Sequence, residues 1–225
     1  MKILWLITSL LLTAASFADE ECSTCASRFD VGPAFASIDM LESGHTKRTL
    51  NLWGVRADAT ILIWKGLCIK PTFLSVDGNA NLNSGSIALG FCFPIVDKVS
   101  VTPSYGYTET RFKSRINFRE FNLLNLREKF HSKGQFVAVD GCWTFIPGAR
   151  VYAGFQWAWS RVHTTVRPLY KVTQHCQGPS YSGCLEYDLT PCLSINIAGA
   201  YNLSLSKEKH GLRGKGGKLG LVYWY

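Results

Sequence analysis

Bulky and small residues alternate along most of this chain. In the segment 53–63, for example, Trp53, Val55 and Ile61 share one parity and Gly54 lies on the other. Because successive side chains of an extended strand point to opposite faces, a period of two predicts β-strands. The same alternation recurs in segments 29–36, 67–73, 86–93, 99–108, 137–145, 151–160, 193–201 and 218–225. The pattern therefore predicts an all-β chain.

The second face of these strands consists of small or polar residues, mainly Gly, Ala, Ser and Thr. In a soluble sandwich the buried face needs bulk, and such residues would leave it unpacked. In a transmembrane barrel the bulky face meets lipid, and the small polar face lines a narrow interior. We therefore predict a closed antiparallel transmembrane β-barrel.

The last segment of the chain has one apolar face and ends on an aromatic residue. That face consists of Leu219, Leu221, Tyr223 and Tyr225. Here the sequence resembles the bacterial outer-membrane β-barrel proteins, whose C-terminal strand alternates in the same way and ends in an aromatic residue. The resemblance implies that these four residues are the insertion signal read by the barrel-assembly machinery. It also implies a location in the lipid of a bacterial outer membrane.

Turn residues divide the chain into about ten strands, an even number as such barrels prefer. Short turns are predicted at 64–66, 94–97, 146–148 and near Asn202, and longer links at 41–49, 77–84, 111–133, 168–186 and 209–217. The ninth strand, at 203–207, is short and polar, and without it the fallback is a barrel of about eight strands. The segment 118–130 fits either a loop helix or an extended hairpin. With both termini in the periplasm, the long loops face outside.

Residues 1–18 have the composition of a secretory signal peptide. Lys2 precedes an apolar run rich in Leu, and small residues lead up to Ala18, where we predict cleavage. A periplasmic tail at 19–26 and one barrel domain at 27–225 then complete the predicted organisation. No other stretch approaches the roughly twenty apolar residues that a membrane helix needs.

Some positions on the small face carry charges, and these residues should face the lumen. They are Asp30, Arg56, Asp58, Lys70 and Asp140. A hairpin centred near Lys65 would place Asp58 opposite Thr72 and diagonal to Lys70. In a narrow barrel such charges either line a water-filled path or pair and plug it. We expect pairing and plugging, with a narrow anion-favouring pore as the alternative.

The eight cysteines of this exported chain are candidates for disulfides. They are Cys22, Cys25, Cys68, Cys92, Cys142, Cys176, Cys184 and Cys192. Cys22 and Cys25 form a CxxC pair in the tail, which is either a local disulfide or a redox or intermolecular link. A hairpin centred near Ala80 would set Cys68 directly opposite Cys92. The remaining cluster from Cys176 to Cys192 is predicted at the outer end, around a loop.

In its number of cysteines, the chain resembles the cysteine-rich envelope proteins of chlamydia-like bacteria. The resemblance concerns composition and architecture and includes no matched motif. In those proteins, disulfide crosslinks contribute to the rigidity of the cell wall. The resemblance therefore implies disulfide-linked envelope proteins as partners.

Basic residues are concentrated in the predicted long loops. They are Arg111, Lys113, Arg115, Arg119, Arg127, Lys129, Lys133, Lys209, Arg213 and Lys215. The formal net charge of the chain is +8, so such a rim would attract lipopolysaccharide phosphates or sulfated glycans. The alternative is a solubilising rim without a specific ligand. Nucleic acid is not expected as a partner, because an exported barrel would rarely meet it.

Candidate catalytic residues are few. Ser160 and His163 differ in parity, and His175 and His210 fall in predicted loops. No nucleophile elbow or acid partner accompanies them, so we predict no catalytic site, metal site or cofactor. The sequence thus favours an outer-membrane barrel with a structural or surface-interaction role. A narrow anion-favouring pore is the first alternative, and a lipid-modifying hydrolase or acyltransferase is the second.

Overall fold

The computed structural model describes residues 25–117, 125–167 and 170–225. Its strands are β1 (Arg28–Glu42), β2 (His45–Trp64), β3 (Leu67–Gly78), β4 (Ala80–Phe91), β5 (Phe93–Val96), β6 (Val99–Asn117), β7 (Asn125–Ile146), β8 (Ala149–Arg167), β9 (Tyr170–Thr190), β10 (Leu193–Ser206) and β11 (Gly211–Trp224). Within those ranges, no helix has the length and apolar character that crossing a membrane requires.

The strands form one closed antiparallel barrel. Neighbours in the chain pair in order, and β1 pairs with β11 to close the sheet. Both β4 and β5 pair with β6, so together they make one strand interrupted at Cys92. The barrel therefore has ten strands. This confirms the predicted all-β barrel and the predicted strand number.

The first described residue, Cys25, and the last residue, Tyr225, lie at one end of the barrel, which we call the terminal end; the opposite end is the far end. At the terminal end, short turns at 65–66, 97–98, 147–148 and 191–192 join the strands. At the far end, the first hairpin turns at Ser43–Gly44. This turn and Lys65–Gly66 have two residues each, both with positive φ, as in type I′ turns that match the twist of paired strands.

Most of the predicted long loops are paired strands instead. The links predicted at 41–49, 77–84 and 209–217 shrink to a two-residue turn, a bend at Asn79 and a turn at 207–210. β6 and β7 pair as far as Asn117 and Asn125, and the tip at 118–124 lies outside the described residues. Backbone pairing continues beyond the apolar part of the wall, where outward positions are polar. Hydrophobic alternation therefore stops before the strands end.

The ten strands are not the ten that the alternation marked. The predicted ninth strand, 203–207, is the end of β10, and the turn predicted near Asn202 lies within that strand, opposite Gly214 and Ser180. The missing strand is β9, in the segment predicted as the loop 168–186. Its outward positions include Gln177, Pro179 and Gly183, so the bulky face that reveals other strands is interrupted there.

The outer surface carries a broad apolar belt bounded by aromatic side chains. Trp53, Ile197 and Leu219 are 68%, 62% and 61% exposed. Such exposure would be unfavourable in water, whereas hydrocarbon makes it favourable. Aromatic residues border the belt at both ends: Trp64, Phe93, Trp143 and Tyr223 at the terminal end, and Phe35, Trp53, Tyr107, Trp159 and Tyr201 toward the far end. The small and polar residues face inward, as predicted.

Candidate functional site

The lumen near the terminal end holds a cluster of buried ion pairs. Glu186 is fully buried, and its two carboxylate oxygens accept hydrogen bonds from Arg28 at 2.9 Å and from Arg150 at 3.0 Å. Arg150 also binds Asp188 at 2.7 Å. The guanidinium carbon of Arg150 lies 4.5 Å from the ring centroid of Trp224. These cations are thus held by carboxylates and by an aromatic face.

A second group of ion pairs lies next to the first, on its side toward the far end. Lys218 places Nζ 2.6 Å from a carboxylate oxygen of Asp30 and 2.8 Å from one of Asp58. Arg56 donates from Nε to both oxygens of Asp58, at 2.9 and 3.0 Å. Together with the ion pair between Lys70 and Asp140 and the cluster around Glu186, these residues form what we call the ionic floor.

Two glycines make room for the floor carboxylates. A Cβ at Gly220 would collide with Asp30 and Asn196, and one at Gly154 would collide with Asp140. The side-chain amide of Asn196 donates a hydrogen bond to Asp30 at 2.6 Å, so the buried carboxylate also has an uncharged donor as a partner. The absence of side chains at these positions on the narrow wall lets the acids reach their cations.

All five charges predicted to face the lumen lie in the ionic floor. Asp58 pairs in register with Thr72, as the predicted hairpin at Lys65 requires, but Lys70 binds Asp140 and not Asp58. The prediction missed five further members of the floor. These are Arg28, Arg150, Glu186, Asp188 and Lys218. The parity of Lys218, shared with Gly220, was a signal that could have found it, whereas Glu186 and Asp188 lie on the unrecognised strand β9.

A cluster of buried apolar side chains, which we call the roof, lies in the lumen at the far end. Its fully or nearly fully buried members are Ile38, Leu50, Leu52, Val76, Ala80, Leu82 and Phe112. Phe130 and Leu212 pack against this cluster from β7 and β11. Several members are direct partners across neighbouring strands, as in the pairs Val76 with Leu82 and Leu82 with Phe112. The roof therefore spans most of the circumference of the barrel.

A patch of basic side chains, the basic wall, lies on the outside of β6–β9. It comprises Arg111, Lys113, Lys129, His131, Lys133, Arg161, His163, Lys171 and His175. Outward residues that are partners on neighbouring strands form rows around the barrel. In the first row Lys133 is flanked by Glu109 and Arg161, and His175 is the partner of Arg161 on β9. The next two rows begin at Arg111 and Lys113. Glu109 is the one carboxylate among the described outward positions of these rows.

The register places the basic wall directly beyond the aromatic edge of the apolar belt. Tyr107, Gln135 and Trp159 are mutual partners one row before Glu109, Lys133 and Arg161. Consecutive outward rows are two residues apart, or about 7 Å along a strand. Glu109 accepts hydrogen bonds from His131 and from Arg111, both at 2.9 Å. The other cations of the wall outnumber this acid, so the patch is strongly positive.

The predicted basic residues thus belong mainly to strands and not to loops. Arg111, Lys113 and Arg115 lie on β6, Arg127, Lys129 and Lys133 on β7, and Arg213 and Lys215 on β11. Lys209 alone of the predicted set lies in a described turn, and Arg119 falls outside the described residues. Arg213 is engaged with Asp39, at 2.7 Å, on the outer face of β1. Arg161 and Lys171 were missed because their segments looked like a strand end and a loop.

Comparison with known proteins finds the same architecture at low sequence identity. No protein-family model matches the sequence, and no curated protein matches it. The outer membrane protease OmpT of Escherichia coli is 13% identical, with a TM-score of 0.58 over 93% of this chain and 100% of that one. The attachment invasion locus protein Ail of Yersinia pestis is 12% identical, with a TM-score of 0.47 over 88% and 97%. Neisserial surface protein A is 11% identical, with a TM-score of 0.47 over 88% of this chain and 97% of that one.

The chain has the fold of a bacterial outer-membrane β-barrel. This agrees with the resemblance seen in its C-terminal strand, where Leu219, Leu221 and Tyr223 lie exposed on the outer surface. At these identities the likeness concerns the fold, and the activities named for the similar proteins are not carried over. The periplasmic location predicted for the termini stays a prediction, and it would place the terminal end on the periplasmic side.

The cysteines of the outer-membrane barrel are distributed differently from the prediction. Cys25 is bonded to Cys92, which ties the start of the described chain to the junction of β4 and β5. Cys68 pairs in register with Gly90 and not with Cys92, because the hairpin is centred on Asn79 and not on Ala80. Moving the centre by one residue moves every partner by two. Cys22 lies outside the described residues.

The cysteines predicted to cluster around an outer loop are also dispersed. Cys176 and Cys184 both face the lumen on β9, eight residues apart, or about 26 Å, which is too far for a disulfide. Cys192 lies in the turn between β9 and β10 at the terminal end, where it is exposed. Cys142 is buried in the lumen. Of the free thiols that the structure describes, Cys192 is therefore the one that another envelope protein could reach.

Ser160 and His163 do not form a catalytic pair in this outer-membrane barrel. Ser160 faces the lumen and donates to the backbone oxygen of Cys176 at 3.4 Å, whereas His163 points outward and lies 2.8 Å from the hydroxyl of Thr173. His175 is on the outer face of β9 and not in a loop, and His210 is in the last turn. The described residues include no group of three or more acidic, His or Cys side chains arranged to hold a metal ion.

Proposed function

We propose that the protein is a surface-interaction barrel of the outer membrane that binds the phosphates of anionic lipid headgroups on its basic wall. The observation that carries this proposal is the position of the wall. Its cations point sideways from the barrel, one to three rows beyond Tyr107 and Trp159. Aromatic side chains of this kind sit at the boundary between hydrocarbon and headgroups. The next rows therefore meet the phosphates of the surrounding lipid.

The charge balance of the wall supports the same partner. Glu109 engages Arg111 and His131 and lies 3.9 Å from Lys133. Lys113, Lys129 and the other cations have no carboxylate partner among the described residues of the wall. A dense positive patch attracts polyanions through a field that extends for about 10 Å at moderate salt. Lipopolysaccharide carries such phosphates in the outer leaflet.

A soluble sulfated glycan would have the same negative charge but would approach from the solution beyond the far end. The basic wall projects into the plane of the membrane, where lipid is the permanent neighbour and a soluble polymer is not. We therefore favour lipopolysaccharide phosphates over sulfated glycans. A structural role in the envelope is compatible with this binding, because a barrel that holds several lipids also organises the leaflet around it.

The proposal is tested by thermal unfolding of the purified barrel in neutral detergent, with and without diphosphoryl lipid A. We expect lipid A to raise the Tm of the native protein, because a ligand that binds the folded state stabilises it. The double variant Lys129→Gln with Lys133→Gln should lose most of this rise. The matched control is Lys65→Gln with Lys98→Gln, two exposed lysines of the terminal-end turns, which should keep it.

A parallel titration with heparin separates the two anion sources. If heparin raises the Tm of the native protein and lipid A does not, the wall serves a soluble glycan and the lipid proposal is wrong. An equal rise in both double variants would likewise contradict it, since binding would then not depend on the wall.

A further inference from the structure

The lumen contains a cavity of about 590 Å³, which is lined by members of the ionic floor such as Asp30 and Lys70 and by members of the roof such as Ile38 and Leu82. Pockets that bind small organic molecules typically measure about 300–1,000 Å³, so the size is that of a ligand site. We call this space the chamber. It is separate from the basic wall, because the chamber faces inward and the wall outward.

The chamber exists because its walls are built from small residues. One line of hydrogen-bonded neighbours around the barrel runs from Asp58 through Thr72, Ser86, Thr108 and Gly134. Each of these side chains beyond Asp58 is short, so none reaches the middle of the lumen. Their hydroxyl groups provide donors and acceptors along the wall. The same barrel is filled by large side chains both below and above this level.

The two ends of the chamber differ chemically. At its far side lie apolar members of the roof, including Leu74, Leu82 and Phe130. At its floor lies Arg56, whose side chain is 39% exposed, the largest value among the paired charges of the floor. Arg56 is two residues closer to the roof than Asp58. A positive group therefore faces the chamber, and its partner Asp58 lies on the side of it toward the terminal end.

The guanidinium of Arg56 also retains hydrogen-bonding capacity. It uses Nε for both contacts with Asp58, so its two terminal nitrogens are not engaged by that carboxylate. Lys218, by contrast, has a side chain only 5% exposed and is held between Asp30 and Asp58. A guanidinium whose terminal nitrogens face a cavity is suited to bind a carboxylate or sulfonate with two parallel hydrogen bonds.

We propose that the chamber binds one small anionic amphiphile, with its carboxylate or sulfonate on Arg56 and its apolar body beneath the roof. A sugar would place hydroxyl groups against Leu82 and Phe130, where they find no partner. A neutral hydrocarbon would leave the guanidinium unmatched and the wall hydroxyls unused. Entry is from the far end, where apolar contacts alone hold the roof, and not through the ion pairs of the floor.

The probe for this site is 4-(trifluoromethyl)benzoate, observed by fluorine NMR with the full barrel in lipid nanodiscs. Saturable binding is expected, and empty nanodiscs account for partition into lipid. Arg56→Gln should weaken binding at least tenfold, while Arg213→Gln, which removes a guanidinium from the outer face of β11, should leave it unchanged. The neutral analogue 4-(trifluoromethyl)benzyl alcohol should bind at least tenfold more weakly than the benzoate.

A second pair of variants keeps the test independent of the floor. Ala158→Phe adds a ring on the chamber side of β8 and should abolish binding, whereas Val151→Phe places a ring on the outer side of that strand and should not. The folded state of each variant is checked by its shifted migration on unheated gels. Absence of saturable binding to the native barrel overturns the proposal, as does equal binding by Ala158→Phe or Arg56→Gln.

Discussion

The two ends of the lumen are lined by opposite chemistry. At the terminal end, cations and carboxylates are paired from β1 through β11, and Glu186 alone is shared by two arginines. At the far end, the closure is apolar, with Leu50 and Leu52 both fully buried. The floor lies at the level of the outer apolar belt, while the roof lies at the level of the basic wall. Polarity inside the barrel is thus the inverse of polarity outside it.

This inversion determines how each closure responds to change. A buried charge is stable only with its partner, so removal of one partner leaves an uncompensated charge. An apolar cluster loses stability in proportion to the volume removed. A single substitution in the floor should therefore cost a large part of the free energy of unfolding, whereas substitutions in the roof should lower it in proportion to the volume removed. Neither closure depends on the other, because the chamber separates them.

Removing side chains from the floor and the roof together should open the lumen to ions. We expect planar-bilayer recordings of the native barrel to show no discrete conductance steps. The floor variant Lys70→Ser with Asp140→Ser and the roof variant Leu82→Ser with Phe112→Ser should also be silent, because one closure remains in each. The combination of all four substitutions should conduct, since they empty one side of the lumen from end to end.

Discrete steps from the native barrel would contradict this expectation and favour the narrow pore as the function. Conductance by the roof variant alone would mean that water and ions already pass the ion pairs. Each variant must first show the shifted migration of a folded barrel on unheated gels, so that silence is not read from an unfolded chain.

The next largest effect should follow from a single change in the floor. Glu186→Gln keeps the shape of the side chain but removes the charge that Arg28 and Arg150 share. We expect the free energy of unfolding to fall by about 3–5 kcal/mol, the usual consequence of breaking a buried pair. Urea unfolding in lipid vesicles, followed by tryptophan fluorescence, gives the measurement.

The matched control is Glu42→Gln. Glu42 pairs with Lys47 at 3.1 Å at the far end, but both side chains are more than half exposed. Exposed pairs contribute about 0–1 kcal/mol, so this variant should be nearly neutral. If the two glutamate variants lose equal stability, the ion pairs of the floor are solvated and do not form a closed layer.

Much of this arrangement could be predicted from the sequence. Alternation correctly predicted the barrel, because lipid favours a bulky outward face where a strand crosses the belt. The predicted number of ten strands was also right, although one predicted strand was misplaced and β9 was missed. It also placed Asp30, Arg56 and Lys70 inside, since parity alone decides which face a residue takes. The partner of Lys70 could not be predicted, because Asp140 is distant in sequence and reaches it across the lumen.

The sequence failed where the belt ends. Outward positions of β9 such as Gln177 and Pro179 lack bulk, so the strand read as a loop and its acids Glu186 and Asp188 were missed. For the same reason Lys113 and Lys129 were predicted in a loop, although their backbones pair. The predicted centre of the β3–β4 hairpin was wrong in a different way. A shift of one residue at Asn79 was enough to exchange Gly90 for Cys92 opposite Cys68.

The smallest of the expected effects concerns the roof. Leu52 is fully buried among the other roof side chains, so Leu52→Ala should remove both its transfer free energy and its packing. We expect a loss of about 3 kcal/mol in the free energy of unfolding, measured by the same urea titration. The value should be smaller than for Glu186→Gln, because the roof loses volume and no charge is left without a partner.

Leu219→Ala is the control that assigns this loss to packing. Leu219 is 61% exposed on the outer belt, where mobile lipid fills the space that a shortened side chain leaves. The control therefore loses the transfer term without the cavity term, and we expect about 1–2 kcal/mol. An equal loss in both variants would mean that the roof is as adaptable as lipid. In that case Leu52 and its neighbours would be a loose lining, and the closure of the far end would have to come from other residues.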